Sequence, residues 1–175
     1  PVDPKSAGKA KKEPTPKKPS TGPRQRDYLL PTDLPSPVQN AYFSSKFCVL
    51  FYELQNTLRF SQHLIAISIS FRPFIEILTN TYLRTHGLNE TGSLADKIKT
   101  AFADMQKRTK MPEEVRVFVN KFIDANEYFS VNTLHKVVHH DMRISEDDLR
   151  AYVNNLDAYL REAITSINSQ QAKAA

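Results

Sequence analysis

The sequence predicts an all-α protein, a compact bundle of five to seven helices preceded by a disordered, basic Pro/Lys-rich tail. Three observations predict it. Apolar residues recur at helical spacing from Phe43 to Ile167. Serine or proline signals of helix starts precede most of these stretches. Prolines and cations are concentrated ahead of them: residues 1–35 hold eight of the 11 prolines and eight basic against four acidic side chains, a net +4 of the chain's +5.

The elements follow in order. Residues 1–35 are read as a disordered linker, because a Lys/Pro/Ser/Thr mixture with no aromatic residue before Tyr28 buries too little apolar area to offset chain entropy. The domain is placed at 36–170, and 171–175 are expected to fray. Ser36-Pro37 reads as a cap with proline at the first helical position, followed by Phe43, Phe47, Leu50, Leu54 and Leu58. Ile65, Ile67, Ile69 and Phe71 alternate as a strand would, yet no second strand exists to pair with them. A helix carrying Leu64, Ile67, Phe71, Phe74, Leu78 and Tyr82 on one face is therefore expected, kinked or broken at Pro73 and ended by Gly87. Ser93 with Asp96 opens the next helix, and Pro112-Glu113-Glu114 opens a short one running to about Asn126. A short histidine-rich helix covers Ser130–His140. Ser145 with Glu146, Asp147 and Asp148 then opens the clearest amphipathic stripe, Leu149 to Ile167.

Composition excludes several classes. The single thiol, Cys48, cannot form an internal disulfide or a thiolate zinc site and reads as a core residue. No apolar run approaches the roughly 20 residues of a membrane span, and no signal region opens the chain, so no membrane partner and a cytoplasmic location are expected. The start PVDPK reads as a piece of a longer protein, with an upstream domain as one partner. Four glycines, none in a strand–turn–helix setting, give no phosphate loop, and no cofactor is expected.

Chemistry is concentrated in NTLHKVVHHD. On a helix turning about 100° per residue, Asn132, His135 and His139 fall within about 60°, beside an inward face of Val131, Leu134, Val137 and Val138. They border core and solvent, where an imidazole can exchange protons. Hydrogen-bonded boundary histidines are the plain reading; catalysis or ligand contact is the sharper one. His135 and His139 are spaced i,i+4 but lack the Glu of HExxH and a third ligand, so no metal is expected. Arg72 and Glu76, four apart among Phe71, Phe74, Ile75, Ile77 and Leu78, read as a structural ion pair or as groups reaching the histidine edge. Lys107, Arg108 and Lys110 close a helix, the ordinary place for cations.

The segments SISFRPFIEILTNTYL, LADKIKTAFADMQKR, FSVNTLHKVVHH and SEDDLRAYVNNLDAYL, over about residues 60–165, resemble an α-helical C-terminal domain of bacterial proteins. Some of those proteins carry a ParB-like nuclease domain or act in phage defence. The helix order is also similar to HEPN domains, which are often dimeric and frequently ribonucleases. The LNxYVH pattern of the family is matched only in part, by Thr133-Leu134 through Val138-His139. The resemblance implies a catalytic Arg four to six residues before the His. Here the nearest upstream Arg of His139 is Arg116, far too distant in sequence.

The leading expectation is accordingly a non-catalytic, HEPN-like interaction module that forms a homodimer in a DNA-associated or phage-defence protein. The alternative is a metal-independent endoribonuclease using His139 and Arg72, with Asn132, His135 and Glu76 assisting. A third is nucleic-acid binding, DNA or RNA, through Lys11, Lys12, Lys17, Lys18, Arg24 and Arg26 of the tail.

Overall fold

The computed structural model describes residues 26–37, 41–127, 130–140 and 142–174. These form six α-helices, and among the described residues the only β-pairing is a single antiparallel bridge between Tyr28 and Arg59. The fold is the expected all-α bundle.

Helix α1 spans Ser45–Tyr52 and runs into a π-helical turn at Glu53–Thr57. Its cap is Ser44, whose Oγ accepts from the Phe47 amide at 3.2 Å; Ser36 and Pro37 lie in non-helical backbone. The physical reason for the later start is Phe43, which is buried and stacks on Phe47 at 4.9 Å. Packing that ring just ahead of the cap fixes where the chain enters the helix.

Helix α2, Phe60–Thr85, is the central element and packs against α1 and three later helices. Pro73 does not break it. The one residue with non-helical backbone angles is His63, at φ −130° and ψ 25°. The carbonyl that Pro73 leaves without its helical donor belongs to Ile69, an exposed residue, so that carbonyl can bond to solvent and the helix continues. Gly87, at φ +64°, closes the helix: its amide donates to the Arg84 carbonyl and the Leu88 amide to that of Leu83. This double bond pattern requires a left-handed residue, which glycine supplies without strain.

Helix α3 (Leu94–Arg108) starts in a reciprocal box between Ser93 and Asp96. Helix α4 (Glu113–Ile123) follows Pro112, and α5 (Val131–His139) is capped by Ser130, which accepts from the Thr133 amide. Helix α6 (Glu146–Ala174) opens with Ser145 and Asp148 capping each other. The helix continues to Ala174, and Gln171 accepts a 2.8 Å bond from the Ala41 amide.

The core runs along α2 and α6. Phe47, Phe74, Phe71, Tyr152 and Phe122 form a chain of ring contacts, with neighbouring centroids 5.3–6.5 Å apart. Deeper in, the buried hydroxyls of Thr79 and Tyr159 satisfy each other at 2.9 Å.

The linker boundary at residue 35 requires correction. Leu29, Leu30 and Leu34 are buried, the Leu30 amide donates to the Leu54 carbonyl, and the Phe60 amide donates to that of Asp27. Fully burying a leucine side chain contributes about 1.5–3 kcal/mol, and three within six residues outweigh the flanking prolines. The domain therefore begins by Arg26, and Pro31 serves as a turn residue inside it, its carbonyl accepting from Leu34. Residues 1–25, including Lys11, Lys12, Lys17, Lys18 and Arg24, lie outside the described residues.

Candidate functional site

The histidine helix is positioned from its start. Ser130 is buried, and its carbonyl accepts from Tyr152 Oη at 3.4 Å, tying the cap of α5 to α6. Val131, Leu134 and Val137 then turn inward, while Val138 is only half-buried. With that face fixed, Asn132 is left half-buried and His135, His139 and His140 exposed along the border. The rings of His135 and His139 lie 4.4 Å apart, and His140 sits 6.5 Å from His135.

Arg72 approaches the same border from α2. Together with Asn132, His135, the α3 cap Ser93 and the first residues of α3 (Leu94 and Ala95), it lines a hollow of about 300 Å³. Arg72 Nη1 donates to Glu76 Oε2 at 3.0 Å, whereas its Nε is buried without a hydrogen-bond partner. Asn132 Nδ2 donates to the Ala125 carbonyl at 3.4 Å. Thus three of the five candidate residues, Arg72, Asn132 and His135, meet at one place. His139 stands beside His135 without lining the hollow, and Glu76 reaches it only through Arg72.

Among the described residues no carboxylate lines the hollow. Desolvation holds His135 below its ordinary pKa, with further lowering from the neighbouring His139, Arg72 and His140. It is therefore neutral at pH 7 and able to accept a proton. The arrangement offers a guanidinium, a side-chain amide and an imidazole around one concavity, a set suited to a negatively charged oxygen ligand. Among the described residues no group of three or more His, Cys, Asp or Glu could hold a metal ion, and no helix is long and apolar enough to cross a membrane.

Arg26 is misplaced as a tail cation. Its Nη2 donates to Asn154 Oδ1 at 2.9 Å, and its pKa is lowered by burial and then by Arg150, so it belongs to the surface of α6. Arg108 is likewise engaged, donating to Asp104 at 2.6 Å.

Two polar clusters had no sequence signal. Tyr82, fully buried, donates to Asp104 at 2.8 Å, and burial followed by that bond pushes its hydroxyl far up. His86 Nε2 lies 2.9 Å from Ser166 Oγ, 80 positions away. Such distant pairs leave no periodic trace. That the amino end of α3 lines the same hollow likewise has no sequence signal, although Ser93 and Asp96 locate that end. Comparison with protein-family models, with curated proteins and with solved structures finds no match for this chain.

Proposed function

We propose that the folded chain is a non-catalytic, HEPN-like interaction module that pairs with a second copy of itself within a DNA-associated or phage-defence bacterial protein. One observation carries the pairing. No Asp, Glu, Lys or Arg occurs between Arg59 and Arg72 on α2; Ile65, Ala66 and Ile69 form an exposed face there at helical spacing, and Ser61 and Gln62 are exposed just before the non-helical His63. Ile65 is 75% exposed, and Val49 and Tyr52 of α1 are exposed as well. A neutral, partly aliphatic face meets its own copy without like-charge repulsion, which suits an isologous contact. Sedimentation velocity on the 175-residue chain tests this. A concentration-dependent dimer is expected, converted to monomer by Ile65→Lys with Ile69→Lys at unchanged helicity. A strict monomer at the highest soluble concentration overturns it.

A second reading, a metal-independent endoribonuclease, is favoured by Arg72 lining the same hollow as Asn132 and His135. A cation supplied from α2 would take the place of the arginine missing ahead of His139. Its check is RNA cleavage by the wild-type chain that is abolished in His139→Ala, a variant at an exposed site. Absence of cleavage by the wild type across RNA substrates removes this reading.

A further inference from the structure

The geometry points to the hollow between α2, α3 and α5 as a binding site for a phosphate monoester, a small anion carried on an apolar body. This goes beyond self-association and requires no cleavage, because it rests on the lining groups alone. Arg72 comes from α2, Asn132 and His135 from α5, and the third wall is the amino end of α3. Three elements thus place donors around one concavity, and among the described residues no carboxylate lines it.

The partners of each group show what remains unsatisfied. Glu76 takes one terminal nitrogen of Arg72, Nη1, and the buried Nε is not itself exposed to the hollow, so the guanidinium acts there through its terminal edge. In the box that opens α3, the amide and hydroxyl of Ser93 are used by Asp96, and the Asp96 amide by Ser93. The amides of Leu94 and Ala95, at the first two helical positions, have no acceptor within the helix. Those amides add to the Arg72, Asn132 and His135 cluster a second kind of donor that favours negative charge.

The chemistry of the ligand follows from the donors. A phosphate monoester carries about −1.5 to −2 charge and three strong acceptor oxygens at neutral pH. That matches donors converging from three directions. An internal phosphodiester has a single charge and two free oxygens, and its chain must leave the site on both sides. The remaining lining is apolar, with Leu94, Ile123 and Val131, which suits the carbon body of the ester rather than bare phosphate. A volume of about 300 Å³ accommodates a body the size of a mononucleotide.

The test is NMR titration of the whole chain with adenosine 5′-monophosphate, inorganic phosphate and adenosine at constant ionic strength. Adenosine 5′-monophosphate is expected to shift the amides of Leu94 and Ala95 and the side-chain signals of Asn132 and His135, with inorganic phosphate weaker at the same residues and adenosine without effect. Asn132→Ala with His135→Ala, both on the border of the fold, should weaken binding at least about tenfold, the loss of more than one hydrogen bond to a charged group. Arg72→Gln with Glu76→Gln should do the same while leaving no unpaired buried charge. Shifts that adenosine reproduces, shifts scattered over surface cations, no shifts at all, or binding retained in both variants each overturn the site. Self-association is read separately by sedimentation, so failure of one reading is distinguishable from failure of the other.

Discussion

The guanidinium of Arg161 on α6 reaches Asp33 in the amino-terminal segment, Nη2 to Oδ1 at 2.9 Å, and Nη1 donates to the Asp33 carbonyl at 2.8 Å. This pair helps pin residues 26–37 along α6, where Arg26 meets Asn154 and Ser36 meets Asn168, with Leu29, Leu30 and Leu34 buried. The ion pair itself is exposed at Asp33, and exposed pairs contribute little; the leucines carry the attachment. Leu30→Ala is therefore expected to cost about 2–5 kcal/mol, the range for truncating a buried leucine. Urea denaturation followed by circular dichroism measures it. A loss below about 0.5 kcal/mol, the scale of surface substitutions, would show that the segment is not part of the cooperative fold.

Thr79 and Tyr159 present a different case, a hydroxyl pair 2.9 Å apart with both residues fully buried. Tyr159→Phe leaves the Thr79 hydroxyl dry and unpaired, which should cost about 1–3 kcal/mol. Adding Thr79→Val removes the orphan. The double variant is then expected to lose less than the sum of the two single changes, by about 0.5–3 kcal/mol. Strict additivity in a thermal-denaturation cycle would mean that the two hydroxyls find other partners.

How much of this was legible follows from how local each signal is. Ser93 with Asp96 and Ser145 with Asp148 are observed caps, because a cap depends on residues within one turn, whereas Ser130, read as part of the histidine helix, is its cap. Gly87 was legible for the same reason. The start of α1 was not, since Ser36-Pro37 and Ser44 satisfy the same local rule and only the burial of Phe43 decides between them. Composition misjudged residues 26–35 because averaging over prolines and lysines hid the short run containing Leu29, Leu30 and Leu34. In the candidate site, the shared border of Asn132, His135 and His139 is a property of one helix and could be read. That Arg72 joins it depends on how α2 packs against α5, which no spacing encodes.

Pro73 offers a test of a local rule that the tertiary structure overrides. It sits inside α2 with no non-helical angles around it, having removed the amide that would bond to the Ile69 carbonyl. Pro73→Ala should restore that bond and relieve the ring's clash with the preceding turn. An interior proline costs about 3 kcal/mol, from which the greater freedom of the alanine variant's unfolded chain, up to about 1 kcal/mol, is subtracted. A net gain of about 2–3 kcal/mol is the expectation, measured as a rise in the urea midpoint at unchanged slope. A destabilised variant would show instead that the half-buried pyrrolidine ring contributes packing that outweighs the missing bond.

His135 carries the clearest pH dependence. Desolvation beside the hollow disfavours its charged form, and His139, Arg72 and His140 add repulsion. Its folded pKa therefore lies below the unfolded value of about 6.5. Between the two values the unfolded chain binds the proton more readily, so stability rises with pH through that window and is lost as acid carries the protein below it. NMR titration of the imidazole signals should give His135 a midpoint below that of a free histidine. His139→Ala should raise the midpoint without restoring it fully, because desolvation is the larger cause and remains. Recovery to the free value in that variant would make the neighbouring imidazole the dominant influence. A midpoint already at the free value in the wild type would mean that neither the hollow nor its cations act on His135.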